Sequence, residues 1–465
     1  MFMKKFVNRN SERTFLEKEY ASARSSFVIV YGRRRTGKTA LVTEFAKNKP
    51  AIYFLATEES EAENRNSFAS VVAEYTGNTI LANSRIGSWE PVFEFIANHK
   101  PDQKTVVIID EFQYIGKSDH AFISRLQKIW DTVLQNSNIM LILCGSLINM
   151  MYDQTLSYSS PLYGRRTGQI KLKQIDFRYY HEFFEGASEK QLIESYAVTG
   201  GVPKYIEAFE QYDDIYTAIG QNILSKQSYL YEEPAFLFEK EVKDVGSYFS
   251  IIKTIASGKH KPGDIASALE LKATNLPKYL NVLIDLDIIK REVPITEQNP
   301  EKSKMGLYKI TDNFIEFWFK FVYPNKSYIE SDYTDVVMKK IRKSFVNNHA
   351  AYVYEDICRD YYMRKLAAVG TWEFIPDKIG RWWDRKDTEI DIVALDSNGN
   401  DIIFGECKYT NQPMDIDIYY KLMEKTAQVE WKRNNRQEHF VFFCINGYTD
   451  RFKELAEKNK NILLY

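Results

Sequence analysis

The chain has 465 residues, too many for one ordinary hydrophobic core, and domains of ~100–200 residues predict several folding units. A net charge of −1 excludes a protein coated with basic residues, so any nucleic acid would have to bind local patches. The four cysteines show no CxxC spacing, which indicates reduced thiols. No apolar run approaches the ~18 residues that span a bilayer. We therefore expect a cytoplasmic protein without a membrane segment.

A glycine-rich loop follows the first strongly apolar run, residues 27–31, which is predicted to be a buried strand. The loop matches GxxxxGK[ST], in which glycines turn backbone N–H groups inward, Lys38 reaches the β and γ phosphates and Thr39 holds Mg²⁺. The helix-compatible residues behind it would direct a positive helix end at the same phosphates. This glycine loop, our candidate ATP site, consists of Gly32, Arg33, Arg34, Arg35, Thr36, Gly37, Lys38 and Thr39.

Two later apolar runs end in polar residues that belong beside the glycine loop. Residues 105–109 lead into Asp110 and Glu111, a pattern typical of a Walker B element. Asp110 would help to hold Mg²⁺ through water, and Glu111 would position and deprotonate the attacking water. Residues 138–144 lead to Ser146, our candidate sensor of the γ-phosphate. The alternation of strands and helices predicts a parallel sheet with helices on both faces.

Three arginines outside the glycine loop have two interpretations each. Arg165 and Arg166 precede a fifth predicted strand and could complete the site of a neighbouring subunit as a finger. That interpretation predicts a homo-oligomer assembled through its nucleotide sites, whereas the alternative is a solvated turn. Arg9 could reach the nucleotide or remain in solvent.

The first half of the chain resembles the AAA+-like signalling ATPases related to the STAND class, which are found in archaea and bacteria. The segments that carry the resemblance are GRRRTGKT, IIDEFQYI, LILCGS, PLYGR and GGVPKY. The resemblance implies binding and hydrolysis of ATP. It also implies that the helical stretch after the fifth strand is a lid over the nucleotide.

Residues 241–330 are predicted to form a winged helix-turn-helix. Three short helical patterns with apolar i, i+3, i+4 spacing precede two short strands, which would form a hairpin-like wing. Its second helix, with Lys272, Asn275 and Lys278, could enter a DNA major groove. The alternative, favoured by the small number of basic residues, is a rigid connector.

The last third contains a second group of chemically active residues. Strand alternation places Glu389 and Asp391 on one face, and Glu406 and Lys408 on one face of the next strand. The Asn-Gly turn between the strands can fold them into a hairpin that brings the two faces together. Asp391 and Glu406 can bind one or two Mg²⁺ ions, and Glu355 can support the metal shell. Lys408 can orient or activate the water that attacks a phosphodiester.

This Asp…Glu-x-Lys arrangement resembles the PD-(D/E)xK nuclease superfamily, specifically the nuclease-like domain often fused to these archaeal-type ATPases. The resemblance covers residues 350–465, with Glu-Ile-Asp in place of the usual Pro-Asp start. It implies a Mg²⁺-dependent nuclease, and the basic patches at 339–343 and 432–436 favour DNA as its target. The alternative is a nucleotide-dependent signalling switch or scaffold whose nuclease-like domain is inactive.

The predicted fold class is α/β, with an AAA+-like P-loop NTPase sheet, a helical lid, a winged helix and a restriction-endonuclease-like domain. ATP and Mg²⁺ are the predicted cofactors and DNA is the predicted partner. The expected boundaries are 1–173 for the ATPase core, 174–240 for the lid, 241–330 for the winged helix and 331–465 for the nuclease-like domain.

Overall fold

The computed structural model describes residues 6–79, 81 and 85–465, and the chain divides into two compact units. The first unit comprises the residues up to Ile175 together with the segments Val202–Lys204 and Leu237–Lys243. The second unit comprises Asp176–Gly201, Tyr205–Phe236 and Asp244–Tyr465. The chain therefore returns twice to the first unit after it has entered the second.

The first unit is built on a five-stranded sheet in the order β2-β3-β4-β1-β5, and every neighbouring pair is parallel. The strands are β1 (Ser26–Tyr31), β2 (Ala51–Leu55), β3 (Thr105–Asp110), β4 (Ile139–Gly145) and β5 (Gly168–Lys171). Three of them, β1, β3 and β4, are buried along their whole length, because helices cover both faces of a parallel sheet. This arrangement confirms the α/β parallel sheet expected from the sequence.

Helices alternate with these strands and place the ends of β1, β3 and β4 at one rim of the sheet. The helices are α1 (Asn10–Ala21), α2 (Lys38–Ala46), α3 (Glu61–Thr76), α4 (Glu90–Asn98), α5 (Gln113–Ser118), α6 (Ala121–Thr132) and α7 (Ile148–Met151). Helix α2 starts within the glycine loop, at Lys38. In parallel α/β sheets, ligands bind outside the carboxyl ends of the strands. The glycine loop and the polar residues after β3 and β4 all lie at such ends.

Gly32 passes so close to the chain after β5 that a side chain cannot be accommodated. Its φ is +150°, and a Cβ atom would lie 2.3 Å from the carbonyl oxygen of Leu172. We expect Gly32→Ala to lower the free energy of unfolding by ~1–3 kcal/mol, because backbone must shift to relieve the overlap. Denaturant unfolding followed by circular dichroism measures this loss. Gly246→Ala, in a helix with open space at the Cβ position, is the control and should not destabilise the protein. Equal losses in both variants would contradict the steric explanation.

The second unit begins with helices and continues into three helices followed by a two-stranded hairpin. The helices are α8 (Glu189–Thr199), α9 (Pro203–Phe209), α10 (Ile215–Asn222), α11 (Glu233–Glu241), α12 (Val245–Ala256), α13 (Pro262–Ala268) and α14 (Leu276–Asp285). The start of α9 and the end of α11 belong to the first unit. The hairpin pairs β6 (Ile289–Glu292) with β7 (Leu307–Ile310) in antiparallel fashion. The prediction that Lys272 and Asn275 lie on the helix with Lys278 was wrong. Helix α14 begins at Leu276 and has a proline in its first turn, where a missing N–H is tolerated.

The β6–β7 hairpin packs against a strand of the second unit, β8 (Lys378–Trp383). The Ile295 N–H donates to the carbonyl oxygen of Arg381 at 2.9 Å. The Lys309 ammonium donates to both carboxylate oxygens of Asp356, at 2.9 and 2.8 Å. These contacts engage the hairpin within its own chain, and both the connector role and DNA reading by the preceding helix stay predictions.

The sheet of the second unit has the order β12-β11-β10-β9-β8. Its remaining strands are β9 (Glu389–Leu395), β10 (Asp401–Lys408), β11 (Gln437–Cys444) and β12 (Ile462–Leu464). The predicted hairpin is present: β9 and β10 pair in antiparallel fashion with Gly405 opposite Ile392, whereas β10, β11 and β12 are parallel. This register makes Asp391 and Glu406 neighbours across the two strands.

The helices around this sheet complete the second unit. They are α15 (Asn313–Phe317), α16 (Lys326–Glu330), α17 (Thr334–Phe345), α18 (Ala351–Ile357), α19 (Met363–Ala368), α20 (Asp417–Thr426) and α21 (Asp450–Lys458). Glu355 lies on α18, as the helical pattern predicted. Within the described part of the chain, no helix is both long enough and apolar enough to cross a membrane.

Candidate nucleotide site and carboxylate–lysine cluster

The glycine loop is closed by hydrogen bonds between its own residues. The Lys38 ammonium donates to the carbonyl oxygen of Arg33 at 2.7 Å, and the Thr36 hydroxyl donates to the same oxygen at 2.8 Å. Arg35 and Gly37 have φ values of +67° and +90°, which curl the backbone so that it can cradle an anion. The loop therefore holds a buried ammonium at the start of α2, and its contact with phosphate stays a prediction.

Of the three loop arginines, Arg34 contacts a side chain outside the loop. Its Nη2 donates to the Tyr114 hydroxyl at 2.8 Å, whereas Arg33 is buried, with only 4% of its surface exposed. Arg33 and Arg34 thus have different environments. A direct contact with ATP stays a prediction for each of them.

Thr39 and Asp110 lie in contact at the end of β3. The Thr39 hydroxyl donates to Asp110 Oδ2 at 2.7 Å, and the Asp110 carboxylate is almost completely buried. A hydroxyl beside a carboxylate offers the hard oxygen ligands that Mg²⁺ prefers, so these residues fit the predicted ion. The Tyr53 hydroxyl donates to the same Oδ2 at 2.9 Å. Sequence reasoning missed Tyr53, because only the pairing of β2 with β3 brings it to Asp110.

Glu111 is fixed by two side chains and has an unusual backbone conformation. The Ser146 hydroxyl donates to its carboxylate, with oxygen–oxygen distances of 2.7 and 3.0 Å, and Gln113 Nε2 donates to it as well. The φ of Glu111 is +51°, a strained value that persists mainly where function requires it. Ser146, the predicted γ-phosphate sensor, therefore contacts the predicted catalytic carboxylate. Gln113 was missed, because no sequence pattern fixes the direction of a side chain at a helix start.

The two candidate finger arginines are engaged near the surface. Arg165 forms a forked ion pair with Asp131, in which Nε lies 3.2 Å from Oδ1 and Nη2 lies 3.0 Å from Oδ2. The Arg166 guanidinium lies 5.6 Å from the centre of the Tyr163 ring. Arg165 would have to leave Asp131 to act in a neighbouring subunit, so its role as a finger stays a prediction.

The side chain of Arg9 is buried and bonds to the backbone of the glycine loop. Its Nη2 donates to the carbonyl oxygens of Thr36, at 3.0 Å, and Lys173, at 2.7 Å. The described contacts of Arg9 are with loop backbone and with Glu12. Arg9 is therefore best understood as a positioning residue that holds the loop against the chain after β5.

We expect Arg9→Met to weaken nucleotide binding and to lower the free energy of unfolding by ~1.5–3 kcal/mol, because two carbonyl oxygens lose a charged donor. Titration with a fluorescent ADP analogue and denaturant unfolding measure the two effects. Arg13→Met, one turn further along α1, removes an exposed guanidinium and is the matched control. If both variants bound nucleotide like the wild type, Arg9 would not position the loop.

The second candidate site is a cluster of carboxylates and lysines where β9 and β10 pair. Asp391 Oδ2 accepts a hydrogen bond from the Cys407 N–H at 3.0 Å. The Glu406 carboxylate forms ion pairs with Lys408, at 2.9 Å, and with Lys425, at 3.2 Å. Both carboxylates are largely buried. Lys425 was missed in the sequence, because only the packing of α20 against β10 places it there.

The charges of Glu355, Asp391, Glu406 and Lys408 act on one another, so the four predicted residues lie close together. Burial, and then the nearby Glu406, raise the pKa of Asp391 to about 6. Burial, and then Asp391, raise the pKa of Glu355 to about 8. Although burial disfavours its charge, Glu406 and Asp391 raise the pKa of Lys408 above its usual value. A charged Lys408 suits the orientation of a phosphate better than the removal of a proton from water.

The carboxylates are not arranged as a closed metal site. In the residues that the structure describes, no group of three or more His, Cys, Asp or Glu side chains is placed to hold a metal ion. Mg²⁺ often binds through only one or two carboxylates, with waters and substrate phosphates as the other ligands. Asp391 and Glu406 fit that mode once the lysines turn away from Glu406. Metal binding by Glu355, Asp391 and Glu406 stays a prediction.

The two predicted basic patches differ in how accessible they are. In α17 the side chains of Lys339, Lys340, Arg342 and Lys343 are exposed. In the second patch, Arg436 donates to the carbonyl oxygen of Thr426 at 2.8 Å, and Lys432 donates to backbone carbonyl oxygens near the turn after β9. Arg436 therefore has a structural role, whereas Lys432 and Arg433 are exposed, so the patch at 339–343 presents four basic side chains to solvent and the patch at 432–436 presents two.

A parallel five-stranded sheet, a glycine loop at the start of α2 and an adjoining Asp-Glu pair define an AAA+-like P-loop ATPase. A family model described as an ATPase domain predominantly from Archaea matches residues 6–209. A second model, described as archaea bacterial proteins of unknown function, matches residues 318–429. The chain belongs to this archaeal-type ATPase family, and membership implies that it binds nucleotide.

Individual relatives agree with this assignment. The chain is 35% identical over 429 residues to an uncharacterized protein of Methanocaldococcus jannaschii, covering 91% of this chain and 92% of the relative. An uncharacterized ATP-binding protein of the same organism is 48% identical over 44 residues, 10% of this chain and 75% of that protein. Among solved structures, the Walker-type ATPase of Pyrococcus abyssi has a TM-score of 0.54 at 19% identity, covering 68% of this chain and 96% of that one. At this identity the last likeness concerns the fold alone.

Proposed function

We propose that the protein hydrolyses ATP at the glycine loop and uses its nucleotide state to control a Mg²⁺-dependent, DNA-cleaving domain in residues 331–465. The observation that supports DNA cleavage is the cluster of Asp391, Glu406 and Lys408 on the β9–β10 hairpin. In this proposal, residues 241–330 are a winged helix that serves as a connector.

At the nucleotide site, each residue has a distinct task. Lys38 and the loop N–H groups would bind the phosphates, and Thr39 and Asp110 would hold Mg²⁺, which would supply positive charge to the phosphates. Glu111 orients the attacking water and accepts its proton. Ser146, whose hydroxyl donates to Glu111, links that carboxylate to the γ-phosphate.

At the carboxylate–lysine cluster, Asp391 and Glu406 would hold Mg²⁺, which when bound polarises the phosphodiester and supplies an activated water. Lys408 orients the phosphate through its positive charge. The exposed basic side chains of α17 support contact with the DNA backbone. Binding through such contacts weakens steeply as salt rises, because each neutralised phosphate releases counterions.

The deciding experiment incubates the full chain with supercoiled plasmid and Mg²⁺ or Mn²⁺, in the presence of ATP, ADP or no nucleotide. We expect cleavage that requires the metal, stops with a chelator and differs between the nucleotide states. Failure to cleave plasmid or oligonucleotides under every condition would remove the nuclease assignment.

A second candidate function is a nucleotide-dependent switch whose nuclease-like domain binds a partner without cutting. The observation that favours it is the pairing of Glu406 with two lysines, which neutralise a carboxylate needed for metal binding. Light scattering of the full chain with ADP and with a non-hydrolysable ATP analogue tests it. A switch should change its assembly state between the two nucleotides while leaving DNA intact.

A further inference from the structure

A short segment ending helix α11 returns to the nucleotide-binding unit and carries a buried carboxylate. Residues 237–243 belong to the first unit, whereas the chain on both sides belongs to the second. Glu241 Oε1 accepts a hydrogen bond from the Ile148 N–H at 3.3 Å, two residues after Ser146. Its other carboxylate oxygen, Oε2, is buried and has no hydrogen-bond partner among the residues that the structure describes. The segment is also held by Asn149, whose amide donates to the Glu241 carbonyl oxygen at 3.5 Å.

The cations of the glycine loop interact electrostatically with this carboxylate. Arg33 and Arg34 favour the charged form of Glu241, and Glu241 in turn favours the charged form of Lys38. Burial has the larger effect and raises the pKa of Glu241 to about 7. Two further carboxylates, Asp110 and Glu111, also act on Lys38. On the helix that carries Glu241, the neighbouring Lys240 forms an ion pair with Glu58, in which Nζ lies 3.7 Å from Oε2.

We propose that Glu241 is a nucleotide-responsive latch, which provides the anion for the loop cations in the nucleotide-free protein and gives up these cations, taking up a proton, when ATP or ADP phosphates bind. Two anions compete for the same cations, and the phosphates carry more charge. Loss of this electrostatic attraction loosens residues 237–243 from the first unit. Because the flanking residues belong to the second unit, the chain itself transmits this change, whether the C-terminal domain cleaves DNA or not.

The latch makes a quantitative prediction, because coupling between the carboxylate and the phosphates is reciprocal. Glu241→Gln keeps the size of the side chain and an oxygen for the Ile148 N–H, but it removes the charge. Nucleotide binding to this variant should tighten by about 5-fold or more near pH 8. Bound phosphates favour the protonated form of Glu241, so binding to the wild type takes up a proton. Wild-type affinity should therefore fall, relative to the variant, as the pH rises from 6 to 8.

The test is isothermal titration of the full chain with Mg²⁺-ADP at pH 6, 7 and 8, in two buffers of different ionisation enthalpy. The variants are Glu241→Gln and the control Glu239→Gln, which changes an exposed carboxylate on the same helix. We expect proton uptake in the wild type and in the control, and less uptake with tighter binding at pH 8 in Glu241→Gln. Parallel pH profiles for the wild type and Glu241→Gln would overturn the proposal.

A measurement on the wild type alone provides a second test that does not depend on how well the variant folds. Amide hydrogen exchange of residues 237–243 should become faster when Mg²⁺-ADP saturates the protein. The glycine loop should become slower to exchange under the same conditions and reports that nucleotide is bound. Unchanged or slower exchange in residues 237–243, with the loop protected, would also overturn the latch.

Discussion

Replacing Glu111 by glutamine should reduce steady-state ATP hydrolysis by ~10²–10⁴-fold, because the attacking water loses the group that accepts its proton. ATP binding should stay within about threefold of the wild type, since this interaction is needed only in the transition state. The glutamine side chain still offers an oxygen to the Ser146 hydroxyl, so the site should keep its local structure. Phosphate release measures hydrolysis, and a fluorescent ATP analogue measures binding.

The matched control for Glu111 is Glu74→Gln, which neutralises an exposed carboxylate of α3. This variant should hydrolyse ATP at the wild-type rate. A reduction of less than about tenfold in Glu111→Gln would be smaller than general-base catalysis normally supplies. Another residue of the site would then have to accept the proton of the attacking water.

The second large expected effect is on DNA cleavage, and it distinguishes Lys408 from Lys425, which both form ion pairs with Glu406. Lys408→Met should reduce metal-dependent DNA cleavage by ~10²–10³-fold, because the developing charge on the phosphate loses a fixed cation. Lys425 also pairs with Glu406 but lies on α20 rather than on the strand that carries Glu406. Lys425→Met should leave most of the cleavage activity intact, and it frees Glu406 for the metal.

A plasmid-nicking time course with Mg²⁺ compares the two lysine variants with Asp391→Asn, which should be as inactive as Lys408→Met. Equal activity of the two lysine variants would contradict the assignment of Lys408. Each lysine substitution removes one ammonium group near Glu406. A difference between the two variants therefore reflects a specific role of Lys408 in cleavage rather than a general loss of positive charge.

The parts of the fold that local sequence determines were predicted well. A buried apolar run, two glycines and a helix-compatible stretch occur in the order that the glycine loop needs, so β1 and α2 followed directly from the sequence. The β9–β10 hairpin also followed, because an Asn-Gly turn separates two largely apolar runs that are typical of strands. In both cases, β1 with α2 and β9 with β10, the segments that pack together are close in the sequence.

The contacts that could not be predicted join residues far apart in the chain. Tyr53 meets Asp110 only because β2 lies beside β3. Glu241 reaches the nucleotide-binding unit because the chain returns there from the second unit at Leu237–Lys243, and no local pattern signals that return. Arg9 was ambiguous because a guanidinium in solvent and one bound to two carbonyl oxygens look identical in a sequence.

The docking of the β6–β7 hairpin on β8 has a practical consequence for dividing the chain into fragments. A fragment that begins at residue 331 would lack Ile295 and Met305, which bond the Arg381 carbonyl oxygen and the Trp383 indole N–H. Strand β8 would then present unpaired backbone groups, and such a strand invites the addition of further chains. This fragment should therefore aggregate, whereas one that starts before β6 should remain soluble because its hairpin still covers the strand.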